Sequence, residues 1–203
     1  MADGVELFID FTFSKSLSVL VSKDDSVKHF ISVASSEHVS KLLPLIVEDC
    51  IRNSGQNFSS LSGIYIANGP GSFTALRILV SYIKGIYTAL SVPVYIYNST
   101  DWMAYYILKN RKNPKQSFTI GFYSGAKNFY YLSEYIVKDG VPKIQNSRVV
   151  ECGDNIDFSD NDIEKELGAK YLFYLHLVKA PESVDVEKLQ PNYLFSEILQ
   201  ISK

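Results

Sequence analysis

Apolar and polar positions alternate with a period of two at the start of the chain, and the period then lengthens to that of a helix. VELFIDFTF (Val5–Phe13), SLSVLVSK (Ser16–Lys23) and SVKHFISVA (Ser26–Ala34) predict three strands. Ser/Lys and Asp-Asp turns separate them, the spacing of an antiparallel meander. Leu7, Ile9 and Phe11 alternate with Phe8 and Asp10, which places Asp10 on one face near the strand's end. Most aspartates in that position are solvated strand-end residues.

In SSEHVSKLLPLIVEDCIRNSGQN, Val39, Leu42, Leu43, Ile46 and Cys50 recur at helical spacing, and Asn53-Ser54-Gly55 supplies a stop. Pro44 lacks an N–H and fits only near the first turn, so the helix is expected to start close to Ser40–Leu42. Leu45 and Val47 fall off the main stripe. A helix apolar on more than one face is either deeply buried or has a partner.

LSGIYIANG (Leu61–Gly69) predicts a buried strand, followed by a glycine-rich break, GPGSFT. The next helix is expected to start at Ser72 or Thr74, either of which can cap exposed N–H groups. Leu76, Leu79, Val80, Ile83, Ile86, Tyr87 and Leu90 form its apolar stripe. Arg77, Ser81, Lys84 and Thr88 form a polar stripe, and Ala75, Ile78, Tyr82, Gly85 and Ala89 run between the two. Gly85 costs about 1 kcal/mol against Ala in mid-helix, which points to close helix–helix approach.

A strand over Val92–Tyr97 and a helix capped around Asn98–Thr100 complete a βββαβα pattern with one further strand and helix. Beyond them, SFTIGFYSG, NFYYLSEYIVKDG and PKIQNSRVV predict strands, with Asp139-Gly140 as a hairpin signal. ECGDNIDFSDNDIEKELG is acidic and predicts a loop and short helix, while AKYLFYLHLVKA is equally compatible with strand or helix. A division into residues 1–97 and a smaller second unit, 98–203, is expected, with a closing tail segment.

Composition narrows the function classes. Of the 203 residues, 46% are hydrophobic and 21% charged, and a formal net charge of -2 argues against an overall nucleic-acid-binding surface. The abundant Tyr and Phe lack the interleaved Lys and Arg of a base-stacking platform and predict a core. Cys50 and Cys152 stand in no metal-ligand spacing and suit a reducing compartment. The start of the chain has no signal-peptide pattern, no apolar run is expected to be long enough to span a bilayer, and a cytoplasmic location is expected.

The candidate chemistry is sparse. His29, His38 and His176 form no pair at helical ligand spacing, so the sequence offers no metal site. Cys50 lies on an apolar stripe and Cys152 opens an acidic segment, neither suited to a reactive thiol. Ser72 lies between strand and helix, but its surroundings are not those of a nucleophile elbow. Phosphate binding is the live option: Gly69 and Gly71 free the backbone, and Ser72 opens a helix N-terminus whose N–H groups favour anions. The turn lacks the lysine of a P-loop, and Thr74 stands at the last glycine of Gly-x-Gly-x-x-Gly. A plain tight turn with a rigid Pro70 and a serine cap is the better supported reading on chemistry alone.

The motifs taken together resemble a known family. Gly69 through Thr74, Leu76 and Arg77 match its Gly-Pro-Gly-Ser-Phe-Thr-Gly-Leu/Val-Arg block, and Lys84-Gly85 fits a later segment. His38, Leu42, Leu43, Pro44 and Ile46 resemble a second block; Pro93, Val94, Ser99 and Asp101 a third; and Pro191, Tyr193 and Leu194 a closing one. Asp10 stands where the family's opening Asp-Thr-Ser-Thr begins. On these residues the chain resembles the TsaB (YeaZ) family of tRNA threonylcarbamoyladenosine biosynthesis proteins, as a divergent member. Ala75 and Leu79 replace motif glycines, Phe11 and Phe13 replace small hydroxyl residues, Tyr123 replaces an aspartate, and Phe195 replaces a closing arginine.

The resemblance implies an α/β fold of the ASKHA (actin-like, sugar-kinase-like) type with two lobes, the second reduced. It implies a non-catalytic scaffold for threonylcarbamoyl transfer to adenosine 37 of tRNA. The implied partners are a TsaD-like catalytic subunit, a TsaE-like ATPase and a second copy of the chain, with tRNA reached only through the complex and no membrane. The first two helices would carry the partner surface, with Leu45, Ile78, Tyr82 and Gly85 as its candidate residues. The alternative is a nucleotide-binding ATPase acting on its own, with Asp10 for magnesium and Gly69, Gly71 and Ser72 for phosphate. ATP or ADP with magnesium, at the interface of the complex, is the candidate cofactor.

Overall fold

The computed structural model describes residues 4–13, 16–34, 39–110, 116–123, 129–151 and 183–192. β1 (Val5–Phe13), β2 (Ser16–Lys23) and β3 (Ser26–Ala34) form the expected antiparallel meander. The β2–β3 turn is Asp24-Asp25, both at positive φ (52° and 55°), the geometry that matches the twist of two-residue hairpins. β4 (Leu61–Ala67) then pairs parallel to β1, and β5 (Val94–Tyr97) parallel to β4. The sheet order is β3-β2-β1-β4-β5.

Two helices cover one face of this sheet. α1 (Leu43–Asn53) follows a 3-10 turn over Val39–Leu42, with Pro44 in its first turn, where a missing N–H costs nothing. Its buried residues are Leu43, Val47, Cys50 and Ile51. That corrects the expected stripe: Val47 belongs to it, whereas Leu42 is exposed and Ile46 only half-buried. The 3-10 turn closes at three residues per turn, so Leu42 precedes the α-helical register and is carried outward. α2 (Phe73–Leu90) is capped by Ser72, whose side chain accepts from the Ala75 N–H. Its buried side is Ala75, Leu76, Leu79, Val80, Ile83 and Ile86, so Ala75 joins the core stripe expected one column over.

These side chains meet Leu7, Ile9, Phe11, Val19, Ile64, Ile66 and Val94 from the sheet in a first core. Phe8, Leu20, Tyr65, Ala67 and Tyr97 point to the opposite face. There they pack on α3 (Ser99–Asn110), through Trp102, Met103, Ala104 and Ile107, and on Phe118, Ile120 and Tyr135. Those last residues belong to a second antiparallel sheet, β6 (Ser117–Tyr123), β7 (Phe129–Lys138) and β8 (Val141–Glu151). Its β7–β8 turn is the expected Asp139-Gly140, again with both φ positive. α3 is thus sandwiched between the two sheets.

Residues 183–192 return to the first sheet. Val184 N–H donates to the Val94 carbonyl at 2.8 Å, on the outer edge of β5, and Val186 and Leu189 enter the first core. Residues 152–182 lie outside the described residues, with Cys152 and His176, as do His38 and 193–203.

One expectation about membranes is corrected. By length and composition alone, α2 passes the test for a bilayer-crossing helix, with 33% of it buried. The reason is that its polar stripe is thin: Arg77 and Lys84 are its only charged residues. The core it forms with the sheet accounts for its buried stripe.

Candidate functional site

The ends of β1, β4 and β5 converge on the glycine-rich turn. β1 leaves regular pairing with β2 between Asp10 and Phe13, a bulge that re-aims the strand end. Asp10, 4% exposed, bends its carboxylate back onto this bulge, and its Oδ1 accepts the Thr12 N–H at 2.7 Å. The Thr12 hydroxyl donates to Ser99 Oγ, at the start of α3, at 3.0 Å. The Thr12 carbonyl is left to face the turn, where it accepts the Ser72 N–H at 2.7 Å.

The turn itself fits closely against protein on both flanks. A Cβ at Gly71 would lie 2.6 Å from the Thr12 carbonyl oxygen, closer than real Cβ atoms come. Gly69, at φ 107°, has a backbone shape that side chains rarely adopt, and a Cβ there would lie 2.6 Å from the Asn192 carbonyl oxygen. The Gly69 carbonyl accepts the Ser99 N–H at 2.8 Å. Asn68 is anchored on three sides: its N–H goes to Tyr97, its side-chain amide to Gln190, and its carbonyl accepts the Asn192 N–H.

A phosphate of ATP or ADP needs unsatisfied N–H groups and open space beside the glycines. Here the Ser72 N–H is spent on Thr12, the space beside Gly71 is filled by Thr12, and the Asp10 carboxylate is held by a backbone amide. As folded, the turn offers a phosphate neither the Ser72 N–H nor the space beside Gly71. The glycines serve the approach of the chain's own backbone. Among the described residues no group of three or more His, Cys, Asp or Glu converges in a way that could hold a metal ion.

The candidate partner residues lie on the outer side of α1 and α2. Leu45 is 57% exposed on α1. Ile78 and Tyr82 are half-buried and pack against the rim of the first core. Burial, and then the charge of Glu48 on α1, push the Tyr82 hydroxyl up to about 12, so Tyr82 stays a neutral phenol between the helices. Nothing lies within 4 Å of a Cβ built at Gly85. Instead Gly85 lies in a groove lined by Phe58, Tyr82, Ile86, Ala89 and Leu90, almost wholly apolar. Toward the start of α2 a second depression includes Phe73, Arg77 and Ile78, with the Arg77 guanidinium 5.4 Å from the Phe73 ring centroid. Ser81 borders both.

A polar chain that sequence reasoning missed, buried at Thr100, Ser133 and Tyr135, joins α3 to the second sheet. Asp101 Oδ1 accepts the Tyr135 hydroxyl at 2.6 Å, Thr100 Oγ1 lies 2.7 Å from that hydroxyl, and Ser133 and Ser147 continue the chain at 3.1 Å each. Burial raises the Asp101 carboxyl above its ordinary value, against a lowering pull from the Tyr135 hydrogen bond. The signal was an N-cap sequence, Asn98-Ser99-Thr100-Asp101, but its partners on β7 and β8 come from a tertiary fold that no spacing reveals.

Comparison with known proteins places this architecture. The model of the family described as TsaD: tRNA N6-adenosine threonylcarbamoyltransferase matches residues 32–167, more than half of the chain. The tRNA threonylcarbamoyladenosine biosynthesis protein TsaB of Escherichia coli (strain K12) is 28% identical over 83 residues, 41% of this chain and 36% of that protein. The TsaB of Buchnera aphidicola is 25% identical over 118 residues, 58% of this chain and 52% of that protein. The chain therefore spans about a third to a half of the length of these curated relatives. YeaZ from Pseudomonas aeruginosa superposes with a TM-score of 0.71 at 17% identity, over 94% of this chain and 100% of that one. That likeness shows the fold: the α/β arrangement of two sheets and three helices is that of YeaZ. On the family match, the chain belongs to the family described as TsaD: tRNA N6-adenosine threonylcarbamoyltransferase, and it is similar to the TsaB and YeaZ proteins.

Proposed function

We propose that this chain takes part in forming threonylcarbamoyladenosine at adenosine 37 of tRNA, as a non-catalytic subunit that binds and supports a TsaD-like catalytic partner. A TsaE-like ATPase joins that assembly, and tRNA is reached through it. The names of the curated relatives support the pathway. The observation that carries the subunit role is Gly85: an exposed mid-helix glycine that lines an apolar groove. Within the chain the glycine relieves no crowding, yet it weakens the helix by about 1 kcal/mol against Ala. Close approach by a helix from another chain accounts for it. Leu45 on α1 and Ile78 and Tyr82 on α2 add exposed and half-buried apolar area, and burial of such area returns roughly 25 cal/mol per Å².

The test is reconstitution of the chain with the TsaD-like and TsaE-like proteins of its own genome, reading modified adenosine by mass spectrometry. Modification is expected to depend on this chain and to fall when Gly85→Phe blocks the groove. Equal modification with and without the chain overturns the reading.

A further inference from the structure

The partner surface leaves one part of the molecule unused, the segment 183–192 and the turn it meets. This segment lies along the outer edge of β5 through Val184, and buries Val186 and Leu189 in the first core. The Glu187 carbonyl accepts the Lys84 ammonium of α2 at 3.0 Å. The segment then closes on the turn: Gln190 receives the Asn68 side chain at 2.9 Å, and Asn192 donates to the Asn68 carbonyl at 2.9 Å. At the end of the described segment the Asn192 carbonyl lies against Gly69, as the Thr12 carbonyl lies against Gly71.

We propose that residues 183–192 are an intramolecular strap, and that with Thr12 they occupy the Gly69–Ser72 turn in place of an anionic ligand. Two carbonyl oxygens, each carrying partial negative charge, flank the glycines. An arriving phosphate would meet both their bulk and their charge, and would have to displace the Thr12–Ser72 hydrogen bond. The strap touches α2 as well, so the element that closes the turn also fixes the helix that bears the partner groove. Thr12 and Asn192 are positioning residues in this device; neither was singled out by the sequence pattern.

Hydrogen exchange read by mass spectrometry on the intact chain tests it. The amides of Ser72, Val184 and Asn192 donate to carbonyls and are expected to exchange slowly, with rates unchanged by millimolar Mg·ATP. Titration with a fluorescent ATP analogue and magnesium is expected to give no saturable signal. Replacing Val186→Asp and Leu189→Asp together is expected to speed exchange at Ser72 and Asn192 by at least about tenfold, while the β1–β2–β3 amides keep their protection. Random-coil exchange at Val184 and Asn192 in the unaltered chain overturns the strap. Saturable Mg·ATP binding that Asp10→Asn abolishes overturns the closed turn. Should the double variant lose its fold, the exchange rates and titration of the unaltered chain decide by themselves.

Discussion

The carbonyl oxygen of Thr12 stands 2.7 Å from the Ser72 amide nitrogen, tying the end of β1 to the residue that caps α2. A strand end and a helix start, far apart in sequence, are thereby set as one unit. The bulge in β1 makes this reach available, and the Asp10 carboxylate holds the bulge in shape.

The two glycines Gly71 and Gly85 are expected to respond in opposite ways to alanine. Gly71→Ala pushes a Cβ into the Thr12 backbone, and overpacking of this kind destabilises by about 1–3 kcal/mol. Gly85→Ala meets open space in a helix and should stabilise the isolated chain by up to about 1 kcal/mol. Urea unfolding should show the midpoint falling for the first and rising for the second, with the slope unchanged in both. A neutral Gly71→Ala would mean that the turn is looser than described.

Leu45 offers the cleanest test of the partner surface. At 57% exposure it contributes little to the core, so Leu45→Glu should shift fold stability by no more than about 0.5 kcal/mol. The affinity of this variant for the proposed TsaD-like partner, measured by calorimetry, should fall by tenfold or more, a cost of about 1.4 kcal/mol or greater. Ile78 is less informative because it also packs on the first core, so a charge there would weaken fold and docking together.

Asp101 should impose a pH dependence on stability. Burial raises its carboxyl above the ordinary aspartate value, so the folded chain holds this proton more tightly than the unfolded chain does. The contribution is fully present below the unfolded pKa, near 4, and is lost as pH rises through the folded value. Asp101→Asn removes the titration and should flatten this part of the profile, in thermal unfolding followed from acid to neutral pH. An unchanged slope in the variant would assign the dependence to another group.

Cys50 should be inert in the native chain. Burial pushes its thiol up to about 12, and its Sγ is directed at the Val19 carbonyl. Iodoacetamide at mildly alkaline pH is expected to leave Cys50 unmodified until denaturant is added, as read by peptide mapping. Rapid native labelling at this position would contradict the packing of α1 on β2.

The strands and the two hairpin turns were legible because their signals are local: period-two alternation, and Asp-Asp or Asp-Gly where φ must be positive. The start of α2 was equally legible, since a serine cap acts within its own turn. The stripe of α1 was misread at Leu42 and Val47 because a 3-10 turn changed the phase ahead of the helix. At the glycine turn the sequence left two readings open, since glycine admits a ligand and a neighbouring backbone alike. Which of them approaches is decided by Thr12 and Asn192, residues brought there only by the completed sheet and the returning tail. The Thr100–Tyr135–Asp101 chain was hidden for the same reason.

The apolar groove on α2 has a consequence for the cell as well as for the proposed complex. The groove at Gly85, lined by Tyr82, Ile86, Ala89 and Leu90, is apolar surface that another helix would cover. Under the proposed subunit role, the survival of the chain is then a matter of stoichiometry. Copies made in excess of their partner should pair with each other, engage chaperones or be degraded, and supplying the partner in step should raise the amount that survives.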